Sequence, residues 1–195
     1  MASEKLKNIF LSASIPLCER DAKYYETADV IAIRDSVIAL ATTVLPKHKL
    51  IWGGHPSITP LIYYVMQKLN INVQEHLELY QTAFFQHIYP EDNNKFENIV
   101  ETPILEDKDS SIELMRELML GGNDFVAGIF IGGMEGIERE YEMFKSFHPD
   151  AIIILLGSTG AATKILYDGL VDKNERFGND YAYTSLFQEF LIDKI

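Results

Sequence analysis

The chain has 195 residues, 47% hydrophobic and 24% charged, with 17 basic against 29 acidic side chains for a formal charge of −12. A chain this apolar and this long is not intrinsically disordered and reads as a single domain over residues 1–195. The acidic balance argues against a nucleic-acid partner, because neutralising phosphates takes Lys and Arg. No apolar run reaches the ~18 to 20 residues of a membrane-spanning helix, which predicts no membrane partner. The lone Cys18 permits no internal disulfide, which predicts a cytoplasmic protein. The charge is also unevenly spread: residues 1–70 hold 8 basic and 6 acidic side chains, residues 71–195 hold 9 and 23. An anionic ligand is therefore expected to prefer loops from the first part.

In chain order, Asn8–Ser14 reads as a short buried strand, and the polar stretch Ser14–Thr27 as a loop. From Ala28 to Leu45 apolar residues recur every three or four positions (Val30, Ile33, Val37, Leu40, Val44), the helical period, and Pro46 stops the helix. Lys49–Trp52 is a brief strand closed by Gly53-Gly54-His55-Pro56, and Ser57–Leu69 is again helical. Val73–Thr82 alternates as a strand does, and Phe84–Ile104 reads as irregular. Ser110–Leu120 predicts a helix capped by Ser110 or Ser111 and ended by Gly121-Gly122-Asn123. Phe125–Ile131 and Ala151–Leu156 are continuously apolar, as central parallel strands are, and lead into helices at Ile137–Phe147 and Ala161–Tyr167. Tyr181–Ile195 closes the chain as a helix. This rhythm predicts an α/β, Rossmann-like doubly wound, mainly parallel sheet with helices on both faces.

Four strands end in loops of small residues that open helices: Ser12-Ala13-Ser14, Gly53-Gly54-His55-Pro56-Ser57, Gly132-Gly133-Met134-Glu135-Gly136 and Gly157-Ser158-Thr159-Gly160. In a doubly wound sheet such loops share the carboxyl edge of the strands, where ligands bind. Backbone N–H groups and helix N-termini there hold a phosphate without many lysines. Each loop taken alone is equally ordinary turn chemistry. No Gly-Lys-Ser/Thr sequence and no spaced-glycine dinucleotide fingerprint occurs.

The stretch Gly53-Gly54-His55-Pro56-Ser57-Ile58-Thr59-Pro60-Leu61-Ile62, with Phe10-Leu11-Ser12-Ala13-Ser14-Ile15-Pro16, resembles the SLOG superfamily, in particular the branch associated with TIR and sirtuin domains in bacterial anti-phage systems. The resemblance implies a Rossmann-like fold that binds nucleotides or nucleotide-derived ligands, and in that branch a sensor of a cyclic ADP-ribose-type or ADP-ribose/NAD-related signal made by a TIR-domain protein. A related branch, the LOG phosphoribohydrolases, cleaves the N-glycosidic bond of nucleoside 5'-monophosphates. Its signature is Pro-Gly-Gly, one residue, Gly-Thr, two residues, then Glu. Ile131-Gly132-Gly133-Met134-Glu135-Gly136-Ile137-Glu138-Arg139-Glu140 is similar, with Ile131 for the proline, Ile137 for the threonine and one extra residue before Gly136. Glu140 then matches the catalytic glutamate.

Among single residues, Glu140 is either a ligand-contacting or catalytic carboxylate or a solvated helix residue. His55 either meets a phosphate or ribose or holds its own loop. Arg20 and Arg34 offer forks to a pyrophosphate, with a surface salt bridge, Asp21 or Asp35 being near in sequence, the other reading of both and the favoured one for Arg34. Cys18 is packing or incidental, and the histidines lack metal-ligand spacing, so neither metal nor cofactor is expected. The aromatic C-terminal segment (Tyr181, Tyr183, Phe187, Phe190) suggests a homo-oligomer. An interaction module with no ligand is the third reading.

Overall fold

The computed structural model describes residues 6–19, 21–69 and 72–195. Among them six strands form one sheet in the order β4-β3-β2-β1-β5-β6, every pairing parallel. They are β1 (Asn8–Ser14), β2 (Lys49–Trp52), β3 (Leu77–Thr82), β4 (Ile99–Thr102), β5 (Phe125–Gly132) and β6 (Ile152–Leu156). Helices α1 (Ala22–Tyr25), α2 (Val30–Val44), α3 (Thr59–Lys68), α4 (Lys108–Gly121), α5 (Glu135–Phe147), α6 (Ala161–Asp168), α7 (Glu175–Asn179) and α8 (Tyr183–Phe190) cover it.

Because strand side chains alternate, β1 feeds both faces. Ile9 and Leu11 enter one core with Ile33, Val37, Leu40 and Val44 of α2, Ile62 and Val65 of α3, and Leu186 and Phe187 of α8. Phe10 enters the other with Met115 and Met119 of α4, Ile137, Tyr141 and Phe144 of α5, and Ala161 and Ala162 of α6. There the Phe10 ring stacks on Phe144 at 5.5 Å between centroids and meets Phe125 and Phe130 at 5.6 and 5.9 Å. Helices on both faces of a wholly parallel sheet make a Rossmann-like α/β fold, and β1 and β5 meet at its switch point.

Several boundaries move from their expected places for local reasons. The stretch read as a loop over Ser14–Thr27 contains α1, started by the Asp21 side chain accepting from Lys23 N. The strand expected from Val73 begins at Leu77, because residues 74–76 form a 3₁₀ turn anchored where His76 Nδ1 meets the Leu45 carbonyl at 2.6 Å. The segment read as irregular holds β4, an edge strand paired only with β3. The cap of α4 is Asp107, not Ser110 or Ser111: its carboxylate accepts from Ser110 N at 2.8 Å in a capping box. Helix α5 opens at Glu135, so Glu135 and Gly136 are its first turn rather than loop. The C-terminal segment is α8 followed by a turn at Ile192–Lys194, with α7 before it. Tyr183 and Phe187 face the chain's own core and Phe190 packs on Phe177 at 5.2 Å, leaving Tyr181 as the exposed aromatic of that group.

Candidate functional site

A cavity of about 690 Å³ opens at the carboxyl edge of β1, β2, β3 and β5. Its walls are the end of β1 (Leu11–Ser14), the β2–α3 loop (Gly53, Gly54, His55, Pro56), Tyr80–Thr82 with Phe85 and Ile88–Pro90 beyond β3, Lys108, Ile112, Met115 and Arg116 of α4, and Met134–Ile137 with Arg139 and Glu140. Three of the four small-residue loops thus meet around one space. Chain order alone does not bring them together; the β2-β1-β5 strand order does.

At one end of the cavity the Ser12 hydroxyl, buried at the tip of β1, donates to Glu140 Oε2 at 2.5 Å. Arg116 Nε donates to Glu140 Oε1 at 3.0 Å. Arg116 Nη1 lies 3.9 Å from Glu113 Oε2, and neither Nη1 nor Nη2 makes a hydrogen bond to the described residues, although the side chain is only 15% exposed. The guanidinium fits because Gly136 has no side chain: a Cβ there would lie 2.8 Å from Arg116 Nη2. Gly136 belongs to the first turn of α5, whose N-terminus has no side-chain cap. The positive end of the α5 dipole and a guanidinium whose Nη2 donors are unbonded therefore converge on one corner. Alongside, Arg139 pairs with Glu113 of α4, and that contact holds the Glu113 carboxyl below the usual carboxylate range. Two ion pairs thus join α4 to α5 along the cavity wall.

Another part of the lining is aromatic and apolar: Phe85, Ile88, Tyr89 and Pro90. Tyr89 donates to the Thr82 carbonyl at 2.8 Å, and burial followed by the nearby Glu101 carboxylate pushes its hydroxyl up to about 12. The His55 imidazole also lines the cavity, its Nδ1 meeting Ser57 Oγ at 2.8 Å and Ser57 N at 3.2 Å. Burial pulls His55 down to about 4 from 6.5. Unfolding restores the ordinary value, so between pH 6.5 and about 4 the unfolded chain binds a proton that the folded chain refuses. His55 thus removes stability as pH falls through that window, by of the order of 3 kcal/mol in full. Denaturant melts of wild type and His55→Gln at pH 7 and pH 5 check this: the wild type should lose more stability than the variant.

Of the other expected site residues, Ser12, Ala13, Ser14, Gly53, Gly54, His55, Pro56, Met134, Glu135, Gly136 and Glu140 line the cavity. Ser57 stands behind His55, its hydroxyl accepting from Ile15 N at 3.2 Å. Gly132 and Gly133 are buried and do not border the cavity, their amides donating to Thr159 Oγ1 at 2.9 Å and the Ser14 carbonyl at 2.8 Å. Gly157, Ser158, Thr159 and Gly160 do not border the cavity: they are buried as a 3₁₀ turn and helix start. The Ser158 hydroxyl meets Tyr183 at 3.1 Å, and Thr159 Oγ1 also donates to the Leu156 carbonyl at 2.6 Å. Thr159→Val would leave a buried backbone donor and acceptor unpaired, an expected loss of about 2–3 kcal/mol in chemical denaturation. Arg20 lies outside the described residues. Arg34 is exposed on α2 and paired with Asp35, and Cys18 is exposed rather than packed. Among the described residues the cations on the cavity wall, Lys108, Arg116 and Arg139, all come from the acidic second part, against the expectation from charge distribution.

Among the described residues no group of three His, Cys, Asp or Glu side chains is placed to hold a metal ion, and no helix is long and apolar enough to cross a membrane. A parallel sheet wrapped on both faces, with a ligand-sized cavity at its switch point, defines a Rossmann-like α/β protein. Within that class the chain belongs to the SLOG cluster3 family, whose model matches residues 23–191. Among solved structures, the X-ray structure of TM1055, a Northeast Structural Genomics Consortium target, is similar in fold, with a TM-score of 0.61 and 16% identity over 97% of this chain and 100% of that one. No curated protein matches the sequence.

Proposed function

We propose that the protein is a single-domain binder of a nucleotide-derived small molecule, a cyclic ADP-ribose-type or ADP-ribose/NAD-related signal, and acts as a sensor in a TIR-linked bacterial defence pathway. SLOG membership supports the nucleotide-related ligand. The observation that carries the reading is one cavity lined in one part by the first turn of α5 and the Arg116 guanidinium and in another by the Phe85–Tyr89 wall. A phosphate or pyrophosphate seats at the first and a base packs on the second, with ribose hydroxyls beside Ser12, Glu140 and the Gly54–His55 loop. The proposal includes a cytoplasmic homo-oligomer that needs no cofactor and passes its signal through assembly or through a TIR-domain partner. Sedimentation showing only a 22 kDa species would remove the oligomer. Calorimetry with cyclic ADP-ribose isomers, ADP-ribose and NAD tests the ligand: at least one should bind at micromolar concentration. Failure of all three overturns this reading in favour of an interaction module without a ligand.

One observation favours a second reading, a phosphoribohydrolase acting on a nucleoside 5'-monophosphate. The Glu140 carboxylate is fixed on the cavity wall by Ser12 and Arg116, as a group that stabilises an oxocarbenium-like transition state must be. Incubation with AMP separates the two. Free adenine that disappears with Glu140→Ala supports hydrolysis; intact AMP removes it.

A further inference from the structure

Hydrogen-bond direction fixes the protonation of His55. The Ser57 backbone N–H points at Nδ1 from 3.2 Å, and a backbone N–H only donates, so Nδ1 carries a lone pair. The Ser57 hydroxyl, 2.8 Å from the same atom, already accepts from Ile15 N, which leaves its own proton for Nδ1. Two donors therefore saturate Nδ1, and the ring proton resides on Nε2. A second proton has no place on this ring, in keeping with the downward shift that burial imposes on it. Nε2 meets no acceptor among the described residues, and His55 borders the cavity, so a neutral N–H donor is what this side chain presents to a ligand.

Resting on the ligand-binding reading above, we propose that His55 is a specificity-determining residue that donates one hydrogen bond from Nε2–H to an uncharged acceptor of the nucleoside part of the ligand: a ribose hydroxyl, a base carbonyl or a ring nitrogen. Phosphate charge is met elsewhere, by Arg116 and the α5 N-terminus. The loop around His55 therefore selects for the sugar or base, and the Arg116 corner selects for the anion.

The test uses the whole chain with ADP-ribose and inorganic pyrophosphate as probes. Glutamine places an amide N–H where Nε2–H lies, and asparagine places one nearer Nδ1. ADP-ribose affinity should stay within about threefold of wild type in His55→Gln and fall about tenfold in His55→Asn, the worth of one neutral hydrogen bond. Pyrophosphate affinity should fall in Arg116→Met and not in His55→Asn. Equal losses of ADP-ribose affinity in both His55 variants, or a loss of pyrophosphate binding in His55→Asn, overturn the proposal. Nitrogen-15 NMR of the imidazole at pH 7, on the protein alone, should show a protonated Nε2 and a bare Nδ1. The reverse pattern overturns this inference by itself, whereas absence of ADP-ribose binding to the wild type overturns the ligand reading together with the role given to His55.

Discussion

Arg116→Met should lower affinity for ADP-ribose by about 100-fold, the 2–3 kcal/mol expected for hydrogen bonds between a guanidinium and a phosphate out of bulk water. The side chain is 15% exposed, spends Nε on Glu140, sets Nη1 3.9 Å from Glu113, and keeps Nη2 unbonded beside the first turn of α5. Methionine keeps the packing and removes both the donors and the charge. It also leaves the Glu140 carboxylate held by Ser12 alone, so the corner that attracted an anion then repels one. Arg139→Met is the matched control. Arg139 is exposed and bound to Glu113, so its loss should change affinity by no more than about threefold, as is usual for exposed pairs. Calorimetry on both variants decides the matter, and wild-type affinity in Arg116→Met would remove the anion corner from the proposed site.

Gly160→Ala should destabilise the fold by about 4 kcal/mol or more, among the largest effects a single methyl group produces. Gly160 has φ 74° and ψ −157°, a conformation accessible essentially only to glycine. A Cβ there would lie 1.8 Å from the Thr27 carbonyl oxygen, a backbone atom that no rotamer change moves away. The same junction carries Ala161 N to Thr27 Oγ1 at 3.0 Å and Asp29 N to the Thr159 carbonyl at 3.1 Å. It fixes the start of α2 against the end of β6. Guanidinium melts should show the loss directly; near wild-type stability would mean the junction is free to rearrange.

These two sites mark where sequence reading succeeds and where it stops. The strands at Asn8–Ser14 and Lys49–Trp52 are legible because their apolar runs are local and bounded by turn residues. Strand β4 is not: its four residues pair on one side only and lie in a segment that reads as irregular. Glu140, which lines the cavity, is picked out through the resemblance to the LOG signature. Arg116 is not, because a mid-helix arginine gains meaning only once α4 packs on α5. The one local signal was its i,i+3 relation to Glu113. By composition Gly157-Ser158-Thr159-Gly160 looks the same as the loops that border the cavity. It differs in what its polar groups do: Thr159 satisfies the Gly132 amide and the Leu156 carbonyl, and Gly160 N donates to the Gly157 carbonyl. The bond from the Gly132 amide, which comes from β5 and lies 27 residues away, is one that no short window of sequence displays.

The placement of the cavity's cations has a kinetic consequence. Arg116 and Arg139 each face a carboxylate within the wall, so their attraction is felt by an anion already inside. An approaching anionic ligand meets instead, within a Debye length of about 8 Å at physiological ionic strength, the field of a molecule with net charge −12. Added salt screens that long-range repulsion while weakening the contacts made after arrival. Capture of an anion by this protein should therefore grow faster with ionic strength even as its release does too, the reverse of the association behaviour of a basic surface that steers anions inward.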